Sequence, residues 1–175
     1  MSLRIVAPER APAPSPRGSA WRSRRRGLIA SLAWLPWGLV ACSSGPKVTR
    51  VSGSIVAAPD LNPSVSDRPS PLVLRIFELR AATAFNQADF LALYQADQAT
   101  LGAELVQRDE LVLQPGETRP YERQLSADTR FIGVLGAYRN LERAVWRGVA
   151  AVQPGRAQRL TLRADSLALT LTIQP

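Results

Sequence analysis

A mainly β, two-sheet sandwich of about eight short strands with a small helical insertion is the fold class this sequence predicts. Three observations carry the prediction. Leu167-Ala168-Leu169-Thr170-Leu171-Thr172-Ile173 alternates, with leucines and isoleucine on one face and Ala/Thr on the other, the period-two pattern of a half-buried strand. Pro-Gly turn signals recur at Pro115-Gly116 and Pro154-Gly155, each between apolar runs. Against these strands stands a single helical segment, Thr83 to Leu101. Many strands with few helices bury their apolar faces by stacking sheet on sheet.

In chain order, Val48 to Ala57 reads as the first strand and Leu72 to Leu79 as the second. In the second, Leu72, Leu74 and Ile76 face one way, and Val73, Arg75 and Phe77 the other. Between them lies Ala58-Pro59-Asp60-Leu61-Asn62-Pro63-Ser64-Val65-Ser66-Asp67-Arg68-Pro69-Ser70. This stretch is too long and proline-rich for a hairpin turn and is expected to protrude.

In the helical segment Asn86 is the expected N-cap, with Asp89 at the third helical position reaching back toward the exposed amides. Phe90, Leu93 and Leu101, with Leu91 and Tyr94, form its stripe, and Gly102 its stop. Ala103 to Glu110 fits either an exposed helix end or an edge strand. Leu111-Val112-Leu113, Tyr121 to Leu125, Val145 to Val152 and Arg159 to Arg163 read as further strands. At both Pro-Gly turns proline presets φ and glycine accepts positive φ, as a type II turn requires. Phe131 to Tyr138 is nearly all apolar, so it is expected as a central strand buried on both faces. Gly133 and Gly136 there suggest a bend or close packing. Ala164-Asp165-Ser166 is a short hairpin connection.

The leader separates targeting from folding. Arg22, Arg24, Arg25 and Arg26 precede an uncharged apolar run from Gly27 to Ala41, and Leu39-Val40-Ala41 leads into Cys42. A basic region, a short apolar run, small residues and then cysteine is the layout of a bacterial lipoprotein signal. The run is too short for a membrane span, which takes about 20 apolar residues. A short membrane helix with an incidental cysteine is the competing reading; Pro36 and the run's length oppose it.

Residues 1–41 are thus expected as signal, Cys42–Lys47 as a lipidated tether, and 48–175 as the folded domain. Cys42 is the only cysteine and the expected lipidation site; beyond that covalent lipid no cofactor is expected. Ser43 is compatible with sorting to the outer membrane. Two export routes fit the leader, the general one and the twin-arginine one signalled by Ser23-Arg24-Arg25-Arg26. The leader also explains the basicity. Seven arginines against Glu9 give it six of the chain's eight net positive charges, so the high pI is no nucleic-acid footprint.

Chemistry is sparse. The chain has no histidine, the commonest general base and metal ligand, and its one lysine, Lys47, lies on the tether. Asp109 and Glu110 would point to opposite faces of a strand. Asp60 and Asp67 lack the dense oxygen ligands of a calcium loop and read as solvated carboxylates. Trp146-Arg147 admits sugar stacking, with core packing of the tryptophan the default. Composition therefore points away from an enzyme. A periplasmic lipoprotein binding a glycan or lipid on the sandwich is the alternative to a structural role.

From Leu72 to Ala151 the sequence resembles the outer-membrane lipoprotein of the type VI secretion system, the TssJ (SciN/VasD) family. The residues that carry the likeness are Arg75-Ile76-Phe77-Glu78-Leu79, Ala84-Phe85-Asn86, Asp89-Phe90-Leu91-Ala92-Leu93-Tyr94 and Thr100-Leu101-Gly102. Leu111-Val112-Leu113-Gln114-Pro115-Gly116 and the Phe131-to-Trp146 block with Tyr138-Arg139 complete it. The resemblance implies a transthyretin-like sandwich lipid-anchored at the periplasmic face of the outer membrane. It also implies a partner, the periplasmic domain of the inner-membrane subunit TssM. In the family the loop between the first two strands makes that contact, which maps here to Ala58 to Ser70.

Overall fold

The computed structural model describes residues 48–175; the expected signal, Cys42, Ser43 and tether lie outside the described residues. Eight strands form: β1 Thr49–Ala57, β2 Leu72–Leu79, β3 Leu105–Leu113, β4 Thr118–Leu125, β5 Phe131–Gly136, β6 Arg147–Ala151, β7 Ala157–Ala164 and β8 Leu169–Gln174. They make two four-stranded sheets, ordered β4-β1-β7-β8 and β3-β2-β5-β6. All pairings are antiparallel except β1 with β7, which is parallel.

Alternation places the core. Val51 and Ile55 of β1, Leu72, Leu74 and Ile76 of β2, Ile132 and Val134 of β5, and Leu160 and Leu162 of β7 pack together between the sheets. The opposite faces of β2 and β5 are apolar as well. Phe77, Leu79 and Leu135 form a second core with Phe85, Leu93 and Leu101 of the helical insertion. A sheet whose central strands are apolar on both faces needs a cover on each; the insertion is the second cover.

That insertion is not one helix. It comprises α1 Thr83–Gln87, α2 Phe90–Gln95, α3 Asp97–Leu101 and a 3-10 turn, Gly102–Glu104. Asn86 lies inside α1, and Asp89 is the N-cap of α2, its carboxylate accepting from the Ala92 amide at 2.7 Å. This corrects the expected Asn86 cap: the short polar side chain nearest the apolar stripe reaches the exposed amides. Gly102 does stop α3, at φ 50°.

Arg75 ties the insertion to the sheet. It bonds Glu110 at 2.6 Å, the Tyr94 carbonyl, and lies 4.3 Å over the Tyr94 ring. Arg108 pairs with Asp97 at 2.5 Å beside it. Ala103 to Glu110 resolves as the end of the 3-10 turn followed by edge strand β3. Asp109 and Glu110 do diverge: Asp109 pairs with Arg123 of the opposite sheet, Glu110 with Arg75.

Both Pro-Gly turns form, with Gly116 at φ 74° and Gly155 at φ 72°. Each carries the chain from one sheet to the other, β3 to β4 and β6 to β7. In the first, the Glu117 carboxyl is held below its usual range, chiefly by the Gln114 amide and then by Arg119. In the second, Gln158 bonds both backbone groups of Gln153. Strand limits move slightly from expectation. Tyr138 falls outside β5, and Val145 makes only an isolated bridge to Ala168. β8 starts at Leu169 because Asp165 to Ala168 closes the β7–β8 turn.

Two glycines are sterically required. A Cβ on Gly53 would collide with the Leu160 carbonyl oxygen of the parallel neighbour, and one on Gly133 would sit 2.9 Å from the Phe85 ring. Backbone cannot rotate aside, so Gly53→Ala is expected to cost about 3 kcal/mol, read from the urea midpoint. Tyr138 is buried and donates to the Ala168 carbonyl at 2.9 Å; burial, then Asp165, pushes its phenol up. Burial, then Glu78, pushes Tyr121 up to about 12. The unfolded phenols lose protons first, near pH 10, so the folded state is favoured below that pH and loses stability as pH rises toward 12. The slope is at most about 1.4 kcal/mol per pH unit per tyrosine. Urea midpoints across this window should fall less steeply in Tyr138→Phe.

Candidate functional site

The register puts β1 on a fixed axis. Its start, Thr49, lies with the ends of β2, β4, β6 and β8; its finish, Ala57, lies with the starts of those strands. Four connections therefore meet at the distal end, away from Thr49: 58–71, 114–117, 137–146 and 165–168. They are about 26 Å from Thr49, eight steps of about 3.3 Å.

The 58–71 connection is anchored at its base and exposed at its tip. The Ala58 amide donates to Ala164, and its carbonyl accepts from Gly116. Leu61 is fully buried and completes the core between the sheets. Asn62, at φ 46°, is buried and joins three segments. Its Nδ2 donates to the Pro71 carbonyl at 2.8 Å, its Oδ1 accepts from the Arg139 amide at 2.8 Å, and its own amide donates to Ser166 at 3.2 Å. Asparagine suits this position because it tolerates left-handed backbone and offers both a donor and an acceptor. Buried Ser70 closes the base through its amide to the Leu61 carbonyl. The expected protruding loop is thus only half protruding.

At the tip Ser64 organises a tight turn. Its amide donates to Arg68, its carbonyl accepts from Asp67, and its hydroxyl faces the Ser66 and Arg68 amides at 3.3 Å. Asp67 takes positive φ, 55°. The turn leaves Val65 fully exposed, with Ser66, Asp67, Arg68 and Pro69 around it and Pro63 and Ser64 half-buried below. Pro59 and Asp60 are exposed near the base.

A groove of about 820 Å³ separates this tip from the 137–146 connection. Pro63, Val65 and Asp67 line it from the loop, Arg139, Leu141, Glu142 and Arg143 from the other connection, and Leu167 completes the lining. Among the described residues neither Arg139 nor Arg143 has a carboxylate within salt-bridge distance. Asp67 and Glu142 also line the groove, so it offers apolar surface from Pro63, Val65, Leu141 and Leu167 within a rim of mixed charge.

The other sequence candidates fall elsewhere. Asp60 and Asp67 are solvated on the loop, and no group of three or more His, Cys, Asp or Glu is poised for a metal among the described residues. Trp146 packs edge-on to Phe90 at 5.4 Å, with the Arg147 guanidinium 4.8 Å over its ring, and joins the two cores. This is the core-packing reading. Leu141 and Arg143 were not singled out in the sequence, and Arg139 only as part of the family likeness. Their signal was the largely charged and polar stretch Arg139-Asn140-Leu141-Glu142-Arg143, with one leucine, between two apolar segments.

Comparison with known proteins bears on this arrangement. Residues 49–167 match the family model for the type VI secretion lipoprotein (VasD, EvfM, TssJ). The chain belongs to that family. It is similar to the crystal structure of the type VI secretion lipoprotein TssJ1 from Pseudomonas aeruginosa, at 44% identity over 75% of this chain and 98% of that one, TM-score 0.71. It is also similar to Serratia marcescens Lip, a membrane-bound component of the type VI secretion system. There the identity is 26% over 71% of this chain and 97% of that one, TM-score 0.65. A solved structure described as the TssM C-terminal domain from EAEC shares the fold at 22% identity, 71% and 98% coverage and TM-score 0.60. No curated protein sequence matches. The sandwich is therefore that of a type VI secretion lipoprotein.

Removing the Asn62 side chain leaves a buried amide and carbonyl without partners in a left-handed residue. Asn62→Ala is expected to cost about 2–4 kcal/mol. Hydrogen exchange should quicken first at Arg139 and along 58–71. Val65→Asp should change stability by less than about 0.5 kcal/mol, because the side chain touches little.

Proposed function

We propose that this type VI secretion lipoprotein is a structural tether at the outer membrane, holding the periplasmic domain of the inner-membrane subunit TssM. Lipid on Cys42 is the membrane end, with Ser43 permitting outer-membrane sorting. The 58–70 loop is the partner end. One observation carries the reading: a loop fixed at Leu61 and Asn62 displays a fully exposed valine, Val65, beside a groove. A preordered loop loses less conformational freedom on binding, so more of its contact energy appears as affinity. Exposed apolar surface at a rigid tip is the material of an interface anchor. No covalent or proton-transfer step is assigned to the domain; its task is to hold.

The physical logic joins both ends. Each buried methylene contributes about 0.8 kcal/mol to membrane partition, and more than one acyl chain makes anchoring stable. Anchoring confines the domain near its partner and raises the effective concentration of the loop.

The test is a crosslinked pull-down of the tagged lipoprotein from native membranes, with and without a short hairpin in place of residues 58–70. Loop-dependent recovery of TssM is expected; undiminished recovery overturns the assignment of the loop. Val65→Asp should weaken the complex at least tenfold, read by titration, while leaving the urea midpoint unchanged. Cys42→Ser should keep the fold but lose membrane association and secretion. Normal secretion by that variant defeats the tether.

A further inference from the structure

The proximal end, where β1 begins, has a charged corner that the tether role does not use. On β1 Arg50 points outward with Ser52, and on β7 Arg159 lies opposite Ser52 in the parallel register. Arg156, in the turn before β7, accepts the Arg50 amide at its carbonyl, 3.0 Å. All three side chains are exposed. Among the described residues none of the three has a carboxylate within salt-bridge distance; Arg68, Arg139 and Arg143 share this at the distal end, and what sets the three apart is their place at the end where Thr49 starts β1. Glu122, opposite Ser52 on the other side of β1, is the one carboxylate on the outward positions of β4, β1, β7 and β8.

Position selects the occupant. Cys42 precedes Thr49 by seven residues, so a fully extended tether is about 25 Å long. Resting on the lipid-anchor reading above, the corner is confined to a thin layer above the bilayer. Lys47, on the tether itself, adds a further positive charge.

We propose that Arg50, Arg156 and Arg159 form a docking surface for anionic phospholipid headgroups, which seats the proximal end on the bilayer and aims the 58–70 loop away from it. The lipid alone fixes where the domain is held and not how it is turned; three exposed guanidinium groups on one corner of the sandwich define an orientation. Arginine suits the task because its planar fork bonds phosphate oxygens in pairs. Each basic residue at an anionic surface strengthens partition by about fivefold, hence about 100-fold for three. The attraction should fade in high salt, where the Debye length shrinks to about 3 Å at 1 M.

The experiment uses the mature acylated lipoprotein carrying Gln153→Cys, at the exposed turn beside Arg156, or Val65→Cys at the distal tip. Each is labelled with a fluorophore; acylation blocks Cys42. The protein is placed in vesicles of phosphatidylcholine alone or mixed with phosphatidylglycerol, each containing a headgroup quencher. Co-flotation reports the anchor and quenching reports the seat.

Expected is flotation with both vesicles and quenching at residue 153 only when phosphatidylglycerol is present. That quenching should be lost in high salt and in the Arg50→Glu/Arg156→Glu/Arg159→Glu variant, with residue 65 unquenched throughout. Flotation with both vesicles but equal quenching at 153 overturns the docking surface and leaves the anchor standing. Flotation only with phosphatidylglycerol, abolished by the triple variant, supports the surface and removes the anchor. No flotation with either overturns both.

Discussion

Burial on both faces of β2 and β5 is the constraint on which the rest of the structure depends. Leu72, Leu74 and Ile76 need one apolar partner surface, and Phe77 and Leu79 need another on the opposite side. A second sheet meets the first need. Three short helices meet the second, and they must lie close because Phe85 rests against Gly133, where no side chain intervenes. The polar edge of that contact is closed by Arg75, which reaches both Glu110 and the end of α2. Removing water from both faces makes this sheet rigid, and a rigid sheet is what lets the connections at its ends hold fixed shapes.

The two ends of the sandwich then acquire different characters. At the distal end, Leu61 closes the core and Asn62 joins the first connection to the 137–146 wall and to Pro71. This end presents a fixed shape and one exposed apolar tip, Val65. At the proximal end, buried Glu78 accepts from the Thr129 hydroxyl at 2.6 Å and the Ser126 amide, ordering the β4–β5 connection, while arginines on β1 and β7 face outward. In the proposed role this polarity matches a molecule that meets lipid at one end and protein at the other.

Legibility in the sequence differed by residue. The 58–70 loop was visible from its length and prolines. Which of its residues point in was not: Leu61 and Val65 are both aliphatic, yet one is fully buried and the other fully exposed. No periodicity distinguishes them, because the loop follows neither a period of 2 nor one of 3.6. Asp89 rather than Asn86 caps a helix because the insertion breaks into three, with Ala88 extended between the first two. The Pro-Gly turns were correctly placed, but their crossing from sheet to sheet depends on partners far along the chain.

By itself the sequence determined what local geometry controls. Strand alternation settles which side chains share a face, proline and glycine settle φ at the turns, and the arginines, apolar run and cysteine of the leader have the layout expected of a lipoprotein signal. Tertiary structure alone decided which strands are neighbours, including the parallel pairing of β1 with β7 that leaves no room for a side chain at Gly53. It also brought Asn62 to Arg139, 77 residues away, and gathered Arg50, Arg156 and Arg159 on one corner. The reason is physical: strands pair through backbone groups that every residue carries, so the choice of partner emerges only when the whole core is buried at once.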